Sequence, residues 1–419
     1  MINEEKQQLQ NSVVSGIIKY NNYILQWGTG AGKGYTATKA IGQLYKKDNT
    51  IKVLIVVAER AHITNWKDEF IKIYGEESKE ILECITIVCY ASLKKYVNTE
   101  WSVLVLDEAH HINTPIRINA LKRIKAKCVI ALSATLKRDT VNTLEILFGS
   151  FIKVKLSLQE SIDKNILPEP KIILIPLLLD NRRISEIIEF KRGKSEYAVK
   201  VQCNLKDRWQ YLRNKSSYPN LILNMYCTQL EKYNYINEQY EYYRNSYLRN
   251  PNNVRFKNQW LQWGNKRKRF LGELKTKYAS ILCNKLQEKN IRFICFCSSI
   301  NQAEELGKIL KSKNNIIHSK KQKTQDIINK FNSKELNELY CVSMLVEGQN
   351  LNNIEAGVIV QLDGEERVFL QKFGRVMRAD SPVQYIFYYK GTRDEEYLNK
   401  AIEGIDKKYI KVYETNNRQ

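Results

Sequence analysis

The run "LQWGTGAGKGY", residues 25–35, sets a lysine directly behind a cluster of glycines. Gly28, Gly30 and Gly32 let the backbone turn sharply, so that its N–H groups, those of Thr29 and Ala31 included, can converge on phosphate oxygens at a helix N-terminus. Lys33 adds a mobile positive charge suited to β- and γ-phosphates. Loops of this kind ordinarily close Gly-Lys-Ser or Gly-Lys-Thr, whose hydroxyl holds the nucleotide's magnesium ion. Here that position is Gly34. Thr36 lies about 200° further around a helix and is not placed to substitute. A second cluster, "VLVLDEAHH", ends an apolar run with Asp107 and Glu108. Two acids leaving a buried strand cost desolvation unless a cation or other partner compensates. Asp107 is read as the Mg²⁺ ligand, directly or through water, and Glu108 as the base that orients and deprotonates an attacking water.

These groups need elements to position them. β-rich runs recur through the first third of the chain: "YILQW", "VLIVVA", "ITIVCY", "VLVLDE" and "CVIALSAT". Near-continuous apolar strands separated by helical periodicity indicate a parallel sheet covered on both faces. In such sheets the chemistry lies beyond the C-terminal strand ends, where "GTGAGKG", "DEAHH" and "SAT" all fall. A second set begins near residue 291 with "IRFICFC", "NNIIHS", "LYCVSM", "GVIVQL" and "YIFYYK". The expected organisation is an α/β chain with parallel-sheet domains at 1–156 and 286–419, joined by a mainly helical aromatic and basic insert at 157–285. In the insert, Ile236, Tyr240, Tyr243 and Tyr247 share one helix face, which reads as packing surface. Lys266, Arg267, Lys268 and Arg269, after Trp260 and Trp263, are candidates for phosphate contacts, a solvated helix face being the alternative.

The 419 residues carry a formal charge of +22, with 43% hydrophobic and 10% aromatic content. That composition is globular, and its charge attracts polyanions, nucleic acid foremost. The nine cysteines include no pair at zinc-knuckle spacing, and the four histidines offer no ligand cluster. The cysteines read as buried thiols of a reducing compartment. The polar start "MINEEKQQLQ" is not a signal peptide, and "IILIPLLL" falls far short of the ~20 residues that span a bilayer. The expectation is a soluble cytoplasmic protein without membrane contact.

Taken in order, "GTGAGK", "DEAH", "SAT" and "QKFGRVMR" resemble the motifs of superfamily 2 helicases and translocases, over about residues 5–155 and 286–400. The similarity is greatest to the DEAH-bearing DNA branch, which contains Swi/Snf-type translocases and phage and bacterial helicases. "VVAERAHITNWKDEF" and "ITIVCYASLKKY" resemble further segments of that branch. The resemblance implies two RecA-like domains, ATP with Mg²⁺ as cofactors, and a nucleic-acid track, DNA in preference to RNA. It places Gln10 as the adenine reader, and Ser133 and Thr135 as the groups coupling nucleotide state to polymer grip. Glu347, Gly348 and Asn350 of "VEGQNLNNI" take the motif touching nucleotide and polymer backbone. Gln371, Arg375 and Arg378 match the final motif, their spacing puts all three on one helix face, and one or both arginines would reach the γ-phosphate. Backbone contacts are expected from Thr64, Asn65, Tyr90, Ser92, Ser298, Ser299 and Ser343.

With Lys33, both acids and both arginines retained, Gly34 suggests a working site whose magnesium keeps more water than usual. The leading reading is an ATP-dependent DNA helicase or translocase. The alternatives are a duplex translocase that remodels or anneals without strand separation, an ATP-switched nucleic-acid-binding protein, and the motor subunit of a larger nuclease or packaging assembly; other replication, recombination or nuclease proteins are the partners to expect. Compact length and biased composition point to a phage or mobile-element origin in a bacterial cytoplasm.

Overall fold

The structure, a computed structural model, describes residues 4–28, 30–191, 197–205, 207–218, 220–320, 324–342, 351 and 353–413. Strands β1 (Tyr23–Trp27), β2 (Val53–Val57), β3 (Ile85–Cys89), β4 (Glu100–Leu106), β5 (Lys125–Ser133) and β6 (Ile152–Leu156) form one parallel sheet in the order β3-β2-β4-β5-β1-β6. All five residues of β2 are fully buried, as expected of a strand with helices on both faces. The order sets β4, β5 and β1 side by side, so the loops that follow them open at one sheet edge. Sequence-distant "GTGAGK", "DEAH" and "SAT" thereby become neighbours.

Strand β7 (Lys171–Leu177) belongs to the second large sheet. Strands β8 (Arg183–Lys191), β9 (Val199–Asn204) and β10 (Asn220–Thr228) form a small sheet of their own, with β8 antiparallel and β9 parallel to β10. The second large sheet then takes β11 (Phe293–Phe296), β12 (Ile316–Ile317), β13 (Glu338–Cys341), β14 (Ala356–Ile359), β15 (Val383–Tyr389) and β16 (Ile410–Val412). Its order is β12-β13-β11-β14-β15-β7-β16, parallel throughout. The chain is thus a tandem of two parallel-sheet domains, as expected. The segment 157–285 needs correcting on two points. It lends β7 to the second sheet, where the apolar "KIILIPL" is covered by β15 and β16, and it holds a three-stranded sheet besides its helices.

Two long helices of that segment, Gln229–Arg249 and Val254–Leu274, pack as a hairpin. The first begins with a capping box in which Thr228 Oγ1 accepts from the Glu231 amide at 3.1 Å and the Glu231 carboxylate accepts from the Thr228 amide at 2.8 Å. The tyrosine stripe is packing: Ile236 is buried, and Tyr240 and Tyr247 lie 6.3 and 5.6 Å from the Trp260 ring. The basic cluster divides. Arg267, 1% exposed, donates to Asn237 Oδ1 at 2.5 Å and Tyr397 Oη at 3.1 Å, with Tyr240 stacked 4.0 Å beneath it. Its guanidinium docks the hairpin on the second domain and is too buried to meet a phosphate.

Beyond the hairpin, fully buried Lys275 donates to Asp394 at 2.5 Å, Gln361 at 2.9 Å and the Phe387 carbonyl at 3.2 Å. Burial pulls the Lys275 ammonium below its ordinary value and Asp394 opposes that. Breaking one side of such a pair strands a charge in low dielectric. Asp394→Ala is therefore expected to cost about 3–5 kcal/mol of stability, with most of it regained in Lys275→Met/Asp394→Leu. Urea unfolding reads both, and equal losses in the single and double variants would overturn the assignment.

Candidate active site

Strand β1 delivers Gly28 to a turn in which Gly30 and Gly32 adopt φ of 91° and 92°. Only glycine takes that conformation without strain. At Gly32 a Cβ would also come within 2.4 Å of Gln10 Nε2. Helix Lys33–Lys47 follows, its first amides directed at the turn. Lys33 Nζ donates to the carbonyls of Trp27 at 2.8 Å and Gly28 at 3.4 Å. Burial pulls its ammonium below the ordinary value, Glu108 and Asp107 oppose that, and the Arg378 charge adds to it. Gln10, from helix Glu4–Ile17, is buried and donates to the Ala31 carbonyl at 3.4 Å. Thr29 lies outside the described residues, as do Ser343, Glu347, Gly348 and Asn350.

At the end of β4, Asp107 Oδ2 accepts from Trp66 Nε1 at 2.9 Å and lies 3.8 Å from His62 Nδ1. Burial and then Glu108 raise its carboxyl above the usual range, while His62, Trp66 and Lys33 pull it down. His62 and Trp66 stand in "VVAERAHITNWKDEF" at a four-residue step on helix Arg60–Tyr74, which turns both inward. Sequence reasoning passed over them in favour of Thr64 and Asn65. On the same helix Thr64 is exposed and Asn65 half-buried. Glu108 sits at φ 47°, ψ 56°, a left-handed conformation uncommon for a non-glycine residue, which turns the chain sharply out of β4. Its amide donates to Asp107 Oδ1 at 3.0 Å.

His110 ties this segment to its neighbours. Its Nδ1 lies 3.3 Å from both Glu108 Oε2 and Ser133 Oγ, and its Nε2 contacts Arg367 Nη1 of the second domain. A guanidinium can only donate, so Nε2 accepts and the ring proton is assigned to Nδ1. Ser133 Oγ donates to the Thr135 carbonyl at 2.8 Å, leaving its lone pairs to His110. The "SAT" segment is therefore joined to "DEAH" and, through Arg367, to the other domain. Arg367, four residues before Gln371, carried no expectation; only its spacing on that helix could have drawn attention to it.

The final motif differs from the expectation. Helix Glu366–Val376 holds buried Gln371 and Arg375, but it ends before Arg378, which follows its C-cap Met377. The three side chains do not share a helix face. Arg375 lies within the field of Cys341, at the end of β13. Arg378 lies within the fields of Lys33 and Glu69, both in the first domain. Of the two arginines, Arg378 is the one whose charge is felt at the loop lysine.

Three expected polymer contacts are otherwise engaged. Tyr90 is 3% exposed and donates to the Asp107 carbonyl at 3.0 Å, so its ring supports the acidic segment from beneath. Ser299 Oγ caps helix Ile300–Ile309, accepting from the Gln302 amide at 3.1 Å. Ser298 Oγ donates to Gln302 Oε1 at 3.0 Å. Ser92 is half-buried in the turn after β3.

The residues fit a nucleotide with Mg²⁺: a glycine turn opening on a helix N-terminus, a lysine held by that turn's carbonyls in the field of two carboxylates, and Asp107 oriented by an indole N–H. Nothing lies within 4 Å of a Cβ built on Gly34, whereas Thr36 Oγ1 is committed to the Gly32 carbonyl at 2.9 Å. Gly34→Thr therefore has room. It is expected to tighten magnesium in the nucleotide complex roughly tenfold, about 1.4 kcal/mol. A magnesium titration of nucleotide binding checks this, and an unchanged midpoint would sink it.

The model of the type III restriction enzyme res subunit matches residues 2–138, and that of the helicase conserved C-terminal domain matches residues 276–380. These matches, one on each sheet domain, support a helicase or translocase of superfamily 2. No curated protein matches the chain. Among solved structures it is similar to the DUF1998 helicase MrfA bound to DNA and AMPPNP, at 12% identity over 93% of this chain and 49% of that one, with TM-score 0.56. It is also similar to an S. cerevisiae Dbp5 variant bound to RNA and ADP BeF3, at 11% identity over 94% and 85%, with TM-score 0.53. The Pyrococcus furiosus Hef helicase domain matches at 15% identity over 93% and 96%, with TM-score 0.48. At such identities the likeness to MrfA and Dbp5 concerns the fold alone, a tandem of RecA-like domains.

Proposed function

We propose that the chain is a nucleic-acid-dependent ATPase, an ATP-dependent helicase or translocase on DNA, which couples hydrolysis between its two sheet domains to movement along the polymer. The observation that carries this reading is the convergence of the turn at residues 28–33 with Asp107 and Glu108 at neighbouring strand ends of one domain, joined to the other domain by the contact of His110 with Arg367. In this reading the loop amides and Lys33 bind the β- and γ-phosphates, and Gln10 stands beside the loop to read the base. Asp107 would hold Mg²⁺, which when bound would supply positive charge to offset that of the phosphates. Glu108 orients the attacking water and takes its proton. Arg378 is assigned the role of arginine finger, and Gln371 and Arg375 support it.

A site that is complete only when two domains meet works as a clamp. Domain closure brings Arg378 to the phosphates; loss of the γ-phosphate removes the charge that holds it there. The +22 charge supports a polyanionic track. MrfA bound to DNA and Dbp5 bound to RNA make nucleic acid the polymer to test. DNA is proposed on the resemblance of the DEAH-bearing segments. Gly34 favours one second reading, an ATP-switched binding protein with impaired hydrolysis.

Steady-state ATP hydrolysis, alone and with single-stranded DNA, duplex DNA and RNA, tests the proposal beside Glu108→Gln. Stimulation by a DNA track is expected, with Glu108→Gln lowering turnover by about 10²-fold or more, the scale of a lost general base. Turnover that stays at the variant's level with every polymer, while ATP still binds, would replace the motor with the switch.

A further inference from the structure

A cavity of about 940 Å³ lies between the helical hairpin and the C-terminal ends of the second sheet. Its wall carries seven cationic side chains against four carboxylates, with Trp260, Tyr240 and Tyr397 among them. Cations interleaved with aromatic rings suit a single strand, phosphates meeting the charges and bases meeting the rings. Lys268 and Lys372 are held toward this wall by Asp363, at 3.2 and 2.9 Å. Arg367 lines the same cavity.

Arg367 is therefore placed twice. From the first turn of helix Glu366–Val376 it faces the cavity, and across the domains it donates to His110, whose Nδ1–H lies 3.3 Å from Glu108 Oε2 and Ser133 Oγ. Its Nη2 also lies 3.5 Å from Glu365. A guanidinium prefers a phosphate, which is charged and accepts two parallel hydrogen bonds, over a neutral imidazole nitrogen.

We propose that Arg367 is a latch between polymer and catalytic acid: a backbone phosphate in the cavity competes with His110 for its guanidinium, and so releases the DEAH segment. This rests on the polymer-stimulated ATPase reading. Arg367 is a positioning residue here, acting on Glu108 only through His110. With Arg367 on Nε2, the imidazole is kept in the tautomer that donates to Ser133 Oγ, which fixes the ring beside Glu108, 3.3 Å from its Oε2. Drawn off by phosphate, Arg367 lets the ring turn and Glu108 with it. The domain contact and the polymer contact become alternatives for one side chain.

Coupling of this kind is reciprocal, which gives a test without ATP. Single-stranded DNA affinity is measured by fluorescence anisotropy on the nucleotide-free chain. His110→Ala removes the competitor and is expected to tighten DNA by about fivefold or more; Arg367→Ala weakens it. In turnover assays at saturating DNA, Arg367→Ala is expected to raise the unstimulated rate and to bring the ratio of stimulated to unstimulated rates close to one. Affinity unchanged or weakened in His110→Ala overturns the latch, as does a wild-type ratio in Arg367→Ala with an unchanged melting temperature. If His110→Ala tightens DNA but wild-type turnover ignores every polymer, the latch stands as a binding device and the motor reading fails. If the wild-type chain binds no polymer, both fall.

Discussion

Two adjacent carboxylates at the end of a buried apolar strand are the constraint around which this molecule is arranged. Four fully buried residues, Val103 to Leu106, precede Asp107 and Glu108, so the acids cannot retreat to water along their own strand. Compensation has to be brought to them. The loop after β1 brings Lys33, helix Arg60–Tyr74 brings Trp66 and His62, and the "DEAH" turn brings His110. The sheet order makes this possible, because β4, β5 and β1 are neighbours although the chain visits them far apart. The second domain completes the set, with Arg378 in the field of Lys33 and Arg367 on His110. An electrostatic need on one strand is met by two domains.

The helical hairpin solves a different problem. It must sit rigidly on the second domain while presenting a basic, aromatic face. Arg267 and Lys275 are spent on the first task, inside networks that include Asn237, Tyr397, Gln361 and Asp394. The cations that remain on the cavity wall serve the second. In one short run of basic residues, burial distinguishes the two uses: Arg267 is sealed beneath the hairpin while Arg269 opens on the cavity.

Much of this was legible in the residues themselves. Strand-length apolar runs, the glycine-lysine turn and the acids that end a strand are local signals, and each keeps its meaning in the fold. What escaped was non-local. Nothing in "KIILIPL" says that its partners are residues 383–389 and 410–412 rather than the strands nearest in sequence. Spacing put Arg378 on a helix face with Gln371 and Arg375, but periodicity does not reveal that the helix stops at Val376. Tyr90 matched a polymer-binding position, yet its environment, set by residues 107 and 111, turned the ring inward. His62, Trp66 and Arg367 act through partners more than 40 residues away, and no local pattern carries that information.

Strand β7 has a consequence for how the chain comes into being. It leaves the ribosome more than 200 residues before β15 and β16, which flank it in the finished sheet. The first sheet, whose strands all precede residue 157, can close during synthesis, whereas β7 must wait with both edges unpaired. Contacts at such separation are slow to form and leave an apolar edge open to other chains. The lysines around "KIILIPL", at 164 and 171, and the prolines at 168, 170 and 176 are the residue types that keep a waiting strand from pairing wrongly. Assembly of the second domain is thus a late event, which waits until residues 383–389 and 410–412 have been made.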